Sequence, residues 1–189
     1  MSTERILVHE SIKDAFAARV VETATAMYGR PGQDAPVLIM ESAVSRNTAL
    51  MEDAVGKGAR VLYGDVAAAE DSKTRMRPII IADVTPDMKV YKTESFGPTV
   101  AIISFKTEEE AVAVANDTEY GLAAAIFDKD LRRAMAVANR IETGAVHINA
   151  MTVHDEAALP HGGTKESGYG RFGGGFDEWT RTKTITFDA

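Results

Sequence analysis

The stretch KTESFGPTVAI, residues 92–102, contains the side chains with the clearest chemical potential. Glu94 lies in a turn whose Gly97 and Pro98 lead into an apolar segment that is typical of a buried strand. A carboxylate at the mouth of a parallel sheet can accept two hydrogen bonds, and the vicinal hydroxyls of a ribose are donors of this kind. Phe96, beside it, could pack against a flat ring. The alternative, which these residues alone favour, is a turn carboxylate next to a core phenylalanine.

Three histidines in the second half of the chain form another candidate group. His147, His154 and His161, together with Asp155 and Glu156, are residue types that bind zinc or iron. The chain between them reads mostly as loop, and His147 lies in an apparent strand, where a core histidine is the commoner situation. The sequence therefore predicts no metal site, and a metal-dependent enzyme remains a minor alternative.

The letters GYGRFG at Gly168–Gly173 match the dinucleotide-binding fingerprint G-x-G-x-x-G. That mechanism requires a strand before the glycines and a helix after them, so that a pyrophosphate meets the helix N-terminus. Here HGGTKESG precedes the motif and further glycines follow it. We therefore predict a surface loop and not a phosphate site.

Composition excludes several classes of function. The chain has 189 residues, 45% of them hydrophobic, and a formal net charge of −7, which argues against a nucleic-acid-binding surface. No apolar run reaches the ~18–20 residues of a membrane span, so a cytoplasmic protein is the default expectation. There is no cysteine, which removes disulfides, thiolate metal sites and a cysteine nucleophile. Serine-hydrolase and P-loop motifs are also missing from the sequence.

Strand-like and helix-like segments alternate along the first 149 residues. Strands are predicted at residues 5–8, 60–63, 78–82, 99–105, 121–127 and 144–149. Helices are predicted from Ser11 to about 27, from Ser45 to about 57, after the capping box TEEE at Thr107–Glu110, and over 128–141. This alternation predicts an α/β fold, a largely parallel open sheet with flanking helices.

The pattern changes after Asn149. Residues 150–176 include seven glycines and read as mostly irregular, which is typical of a functional or wrapping loop. Thr182–Phe187 alternates polar and apolar residues and predicts a terminal strand that needs a partner. We therefore expect a partial α/β domain over 1–149, a glycine-rich loop over 150–181 and a separate strand within 182–189.

Four segments, taken in order, resemble the C-terminal part of the catalytic domain of aldehyde dehydrogenases. They are RPIIIADVTPDMKVYKTESFGPTVAI, YGLAAAIFDKDLRRAMAVANRIETGAVHIN, PHGGTKESGYGRFGG and EWTRTKTITF. The resemblance implies that NAD or NADP is the cofactor, that Glu94 binds the nicotinamide ribose and that Phe96 lies against the nicotinamide ring. It also implies that the loop over 150–165, with His154 and His161, forms the wall of the tunnel for a small-molecule aldehyde.

The stretch HINAMTVHDEA, residues 147–157, bears on the substrate. It is most similar to the branch of the family that oxidises aromatic aldehydes such as salicylaldehyde, benzaldehyde or vanillin. The resemblance therefore implies that the aldehyde is aromatic.

The start of the chain, MSTERILVHES, bears on the catalytic residues. In the family, a nucleophilic cysteine directly precedes a segment of this kind, so its place would be immediately before Met1. The resemblance puts the general-base glutamate, the oxyanion-stabilising asparagine and the nucleotide-binding half further upstream of Met1. We therefore expect no catalytic residue in this chain, no tight cofactor binding and no activity of the chain alone.

Two further expectations follow from the family pattern. His161 stands where the family commonly has the phenylalanine of P-F-G-G, which makes that part of the pocket wall more polar. The strand Thr182–Phe187 is expected to join a sheet with a neighbouring subunit and so to form a homo-oligomer, a dimer or tetramer. The alternative hypothesis is a non-catalytic short protein that associates with full-length aldehyde dehydrogenase subunits.

Overall fold

The computed structural model describes residues 2–30, 32–154, 156, 159–169, 180, 181 and 183–186. The chain divides between Asp117 and Thr118 into two compact units. The first contains β1 Arg5–His9, a 3-10 turn Glu10–Ile12, α1 Lys13–Tyr28, α2 Glu41–Gly56, β2 Arg60–Tyr63, β3 Ile79–Ala82, the one-turn helix α3 Lys89–Lys92, β4 Thr99–Phe105 and α4 Glu108–Asn116. The second contains β5 Tyr120–Gly121, β6 Ala123–Ile126, α5 Leu131–Ala138, β7 Ala145–Ile148 and β8 Thr164–Lys165.

A four-stranded sheet in the order β1-β4-β3-β2 forms the centre of the first unit. Strand β4 is parallel to both of its neighbours, with Ile102 opposite Ile6 of β1 and Val100 opposite Ile80 of β3. Strand β2 closes one edge and runs antiparallel to β3. The predicted α/β fold with a largely parallel sheet and flanking helices is confirmed.

Helices cover both faces of this sheet, which explains why β3 and β4 are apolar throughout. Ile79 and Ile81 point to the face covered by α2, whose buried residues there are Leu50, Met51 and Ala54. Ile80 and Ala82 point to the opposite face, where they pack with Ala24 and the half-buried Phe16 and Val20 of α1. The successive isoleucines of β3 thus contribute to two separate hydrophobic cores.

Two polar devices fix α4 at its ends. At its start, the Thr107 hydroxyl accepts a hydrogen bond from the Glu110 N–H at 3.2 Å, and the Glu110 carboxylate accepts one from the Lys106 N–H at 2.8 Å. The predicted cap is therefore present, with Glu110 reaching one residue further back than expected. At its end, the guanidinium of Arg5 donates to carbonyls of the last turn. Burial lowers the pKa of Arg5 from its ordinary value, and the ring of Tyr91 lies beneath it at 5.6 Å.

The second unit is built around a parallel pair of strands joined through a helix. Ala123 of β6 lies opposite Ala145 of β7, and α5 connects the two. Asp130 caps α5 by accepting hydrogen bonds from the N–H groups of Arg132 and Arg133. The short strands β5 and β8 pair antiparallel, which ties the glycine-rich segment to the start of this unit.

Several sequence predictions need correction at the level of single residues. Ser11 does not begin α1, because it lies inside the 3-10 turn, where its N–H donates to His9 Nδ1. Residues 164 and 165 form β8, although this segment was expected to be irregular. Residues 183–186 have no strand assignment, so the predicted terminal strand is not confirmed, and Thr182 and Phe187 lie outside the described residues. The domain boundary at Asn149 stays a prediction.

Among the helices that the structure describes, none is both long and apolar enough to cross a membrane.

Candidate functional site

The ESFGP turn, Glu94–Pro98, connects α3 to β4 in the first unit. Its backbone is tightly shaped: Ser95 is fully buried, and Phe96 adopts a left-handed conformation with φ of 48°. A positive φ is uncommon for an aromatic residue and persists only where surrounding contacts impose it. The Phe96 side chain is 59% exposed, so its ring is not a core residue as the local sequence alone suggested.

Glu4 holds the turn from the N–H side. One oxygen of its carboxylate accepts a hydrogen bond from the Ser95 N–H at 2.9 Å, and the other accepts one from the Phe96 N–H at 3.0 Å. Two successive backbone N–H groups that converge on one carboxylate form a strong, charge-assisted contact. This contact joins the residue directly before β1 to a turn that lies about 90 residues later in the chain.

Asn47 of α2 holds the same turn from the carbonyl side. Its side-chain N–H group donates to the Ser95 carbonyl at 3.0 Å, and its oxygen accepts from the Thr99 hydroxyl at 2.8 Å. The Arg46 guanidinium donates to the same Ser95 carbonyl at 2.9 Å. Asn47 is fully buried, and a buried amide with all these partners fixes local geometry strongly.

Gly97 is required because Asn47 lies against the backbone of the turn. A Cβ atom at position 97 would overlap the Oδ1, Cγ and Nδ2 atoms of the Asn47 side chain. The absence of a side chain at Gly97 therefore allows Asn47 to pack directly against the backbone of the turn. The Pro98 carbonyl then accepts a hydrogen bond from the Ile79 N–H at 2.9 Å as the chain enters the sheet.

The carboxylate of Glu94 differs from the hydrogen-bonded backbone groups of the same turn. In the part of the chain that the structure describes, no protein group donates a hydrogen bond to it. Partial burial raises its pKa above the ordinary value, and the charge of nearby Glu4 adds to this. Such a carboxylate has free acceptor capacity in a rigid setting, and the exposed ring of Phe96 follows two residues later. These features fit a ligand that offers hydroxyl donors beside a flat ring.

The predicted tunnel residues lie in the second unit. The ring of His154 contacts that of His147 edge-on, with centroids 5.9 Å apart, and its Nε2 lies 3.2 Å from Glu156 Oε1. His161 is exposed, before β8. No cluster of three metal-binding side chains occurs within the described ranges, while Asp155 and most of the GYGRFG motif lie outside them. The structure therefore groups Glu94 with Phe96, and His154 with His147.

The start of the chain gives no test of the expected place of the catalytic residues. The nucleophile and the general base were expected upstream of Met1, and Met1 itself lies outside the described residues, which begin at Ser2. The sequence contains no cysteine that could act as the nucleophile. The expectation that this chain carries no catalytic residue therefore stays a prediction.

The segment after His161 is anchored firmly at β5. The Ser167 hydroxyl accepts from the Gly121 N–H at 3.1 Å, and the Glu166 N–H donates to the Glu119 carbonyl at 2.8 Å. Lys165 has a positive φ of 54° and forms an ion pair with Glu142 at 2.7 Å. The stretch GGTKESG, residues 162–168, is thus held in place by hydrogen bonds and an ion pair within the second unit.

Sequence reasoning missed Glu4 and Asn47, the two residues that shape the turn. Asn47 did carry a signal, because it lies four residues before the inward-facing Met51 of an amphipathic helix. A polar residue on an apolar face often makes buried hydrogen bonds. Glu4 carried no comparable signal, because its partners are backbone groups far away in sequence.

Comparison with known proteins identifies the family to which the chain belongs. The model of the aldehyde dehydrogenase family matches residues 1–185. Vanillin dehydrogenase of Pseudomonas fluorescens is 42% identical over 98% of this chain and 39% of its own length. The crystal structure of a salicylaldehyde dehydrogenase from Pseudomonas putida G7 with salicylaldehyde superposes with a TM-score of 0.80 and 38% identity, over 90% of this chain and 35% of that one.

A cofactor complex is among the similar structures. Succinic semialdehyde dehydrogenase from Streptococcus pyogenes, in complex with NADP+ as the cofactor, gives a TM-score of 0.80 at 34% identity, over 88% of this chain and 37% of that one. The chain spans about two fifths of the length of the curated relatives it matches (39% for the vanillin dehydrogenase). The match to the family model and these identities show that the chain belongs to the aldehyde dehydrogenase family.

Proposed function

We propose that this chain is part of an NAD(P)-dependent aldehyde dehydrogenase that oxidises an aromatic aldehyde to the carboxylic acid. The observation that carries the proposal is the ESFGP turn, in which the Glu94 carboxylate has free acceptor capacity and Phe96 presents an exposed ring. Glu94 would accept hydrogen bonds from the two hydroxyls of the nicotinamide ribose, and Phe96 would pack beside the nicotinamide. When bound, NAD(P)+ accepts the hydride that leaves the substrate carbon.

Rigidity of the turn supports this role. Hydride transfer requires the nicotinamide to be held in a narrow range of orientations, and a carboxylate on a fixed backbone restricts the attached ribose. That backbone is fixed because it donates a hydrogen bond to Glu4 and accepts hydrogen bonds from Asn47 and Arg46. An ionised carboxylate accepts hydrogen bonds at both of its oxygens, as the two hydroxyls of a ribose require.

The aromatic preference rests on the similarity to the vanillin and salicylaldehyde enzymes. In this proposal, His154 and His161 line the aldehyde pocket, and His161 makes its wall more polar than a phenylalanine would. The chain has no cysteine, so the isolated chain lacks the family's nucleophile and is inactive. The working protein is a cytoplasmic homo-oligomer, and Thr182–Phe187 contributes to its subunit interface.

The proposal is tested with a chimera in which residues 1–189 replace the matching segment of the Pseudomonas putida G7 salicylaldehyde dehydrogenase. We expect aldehyde-dependent NAD(P)H formation, with salicylaldehyde and vanillin preferred over succinic semialdehyde. Glu94→Gln in the chimera should raise the KM for the cofactor by about tenfold to a hundredfold, because it replaces a charged acceptor by an amide.

Glu52→Gln is the matched control, because Glu52 is exposed on α2 and takes no part in the turn. A folded chimera that oxidises no aldehyde, or one in which Glu94→Gln and Glu52→Gln behave alike, would contradict the proposal. Aldehyde-dependent NADH formation by the isolated 189-residue chain would contradict its predicted inactivity.

A further inference from the structure

We propose that Glu4 is a positioning residue for the cofactor-facing turn: its carboxylate sets the backbone conformation that aims Glu94 and Phe96. This inference rests on the proposed function of the turn and adds a residue that would act on the cofactor through the conformation of the turn. The geometry that carries it is the pair of hydrogen bonds from the N–H groups of Ser95 and Phe96, at 2.9 and 3.0 Å, to the two oxygens of one carboxylate.

The Glu4 carboxylate is itself held in place. The Glu4 carbonyl accepts a hydrogen bond from the Ala101 N–H at 3.1 Å, so that the parallel pairing of β1 with β4 fixes its backbone. The Ser2 hydroxyl donates to Glu4 Oε1 at 2.8 Å. Ala101 lies on β4, the strand that directly follows the turn. Glu4 and the turn are therefore both anchored to β4.

The conformation that Glu4 holds is one that Phe96 would not adopt by itself. A left-handed backbone is unfavourable for a residue with a Cβ atom, and here φ is 48°. In this conformation the N–H groups of Ser95 and Phe96 point the same way and can meet a single anion. Loss of the anion would leave the two donors without their common acceptor and release Phe96 toward ordinary backbone conformations. The direction of the Phe96 ring would change with it.

Glu4 has a second, opposing effect through its charge. It lies close enough to Glu94 to disfavour ionisation of that carboxyl, in addition to the effect of burial. Substitution of Glu4 by glutamine therefore loosens the turn and, at the same time, eases the ionisation of Glu94. A residue that only stabilised the fold would not produce this pair of changes.

The test is NMR spectroscopy of the 189-residue chain labelled with 15N and 13C, comparing wild type, Glu4→Gln, Glu4→Ala and the control Glu52→Gln. In the wild type we expect scalar couplings across the hydrogen bonds, from the amide nitrogens of Ser95 and Phe96 to the Glu4 carboxyl carbon. Glu4→Gln should accelerate amide exchange of Ser95 and Phe96 about tenfold, and Glu4→Ala more, because a neutral acceptor bonds more weakly than a charged one. Glu4→Gln should also lower the pKa of Glu94, while Glu52→Gln changes neither quantity.

Absence of the couplings in the folded wild-type chain would overturn the proposal, and this readout does not depend on any variant folding. Unchanged exchange at Ser95 and Phe96 in folded Glu4→Ala would also overturn it. In the chimera, Glu4→Gln should raise the KM for NAD+ about threefold to tenfold and leave the KM for the aldehyde unchanged, consistent with a partial loss of the acceptor pair. A third outcome separates the two proposals: the NMR couplings are present, but Glu94→Gln leaves the KM for the cofactor unchanged in the chimera. This result would reject the proposed function of the turn and would still support the contact between Glu4 and the turn.

Discussion

Replacement of Gly97 by alanine tests the packing of the ESFGP turn against α2. The new Cβ atom would overlap the side chain of Asn47, which is fully buried and bonded to both Ser95 and Thr99. Gly97 does not need a positive φ for its role, so the cost arises from overlap and not from backbone strain. Overpacking of this kind costs about 1–3 kcal/mol, and displacement of Asn47 weakens two hydrogen bonds worth about 0.5–1.5 kcal/mol each. We expect Gly97→Ala to lower the free energy of unfolding by about 2–6 kcal/mol.

A double-mutant cycle separates this mechanism from a general effect of alanine. Asn47→Ala alone should cost about 2–4 kcal/mol, because it leaves the Thr99 hydroxyl without its acceptor and removes one donor from the Ser95 carbonyl. In the Asn47→Ala background the Cβ at position 97 enters space vacated by the amide, so Gly97→Ala should add no more than about 1 kcal/mol.

Urea unfolding followed by far-UV circular dichroism measures all four proteins. Gly56→Ala is the matched control, because a Cβ at that position in α2 has no atom within 4 Å apart from its chain neighbours and the backbone of its own helix. We expect Gly56→Ala to raise the free energy of unfolding by about 0.5–1 kcal/mol. Two results would refute the reasoning. One is a loss of unfolding free energy in Gly97→Ala that is smaller than the change in Gly56→Ala. The other is an equal loss in Gly97→Ala whether position 47 is asparagine or alanine.

Three further outcomes follow from the first unit. Arg5→Met should lower the free energy of unfolding by about 2–4 kcal/mol in urea melts, because three carbonyls at the end of α4 lose a charged donor. Arg5→Lys should recover part of this loss. Equal stability of the wild type and both variants would contradict the prediction. Thr107→Ala should cost about 1 kcal/mol through loss of the cap, measured in the same assay, and Thr107→Ser should cost much less. The raised pKa of Glu94 means that the folded state holds its proton more tightly, so its ionisation lowers stability as pH rises from about 4.5 upward. Glu94→Gln should therefore be more stable than wild type at pH 7 and equal to it near pH 3.5 in thermal melts, and a stability difference that does not depend on pH would refute the assignment.

The fold was predictable because the strongest signals in the sequence are local. Strand β4 was expected at residues 99–105 and occupies those residues, since its apolar run is bounded by Pro98 and by the capping box at Thr107. The helix ends were less predictable. Helix α2 begins at Glu41 and not at Ser45, because tertiary packing adds a turn that periodicity alone does not reveal.

The site was predictable only in part. Glu94 and Phe96 are neighbours in the chain, so the motif that contains them is visible in the sequence. The residues that shape their turn are not, because Glu4 and Asn47 approach it from 91 and 48 residues away through hydrogen bonds with backbone atoms. Any side chain of suitable shape can bind a backbone group, so sequence patterns carry little information about such contacts.

The most direct test is a crystal structure of the chimera with bound NAD+. Both oxygens of the Glu94 carboxylate should lie about 2.5–3.0 Å from the two hydroxyls of the nicotinamide ribose, with the Phe96 ring beside the nicotinamide. A nicotinamide ribose bound elsewhere, with Glu94 facing solvent, would contradict the proposed function of this turn.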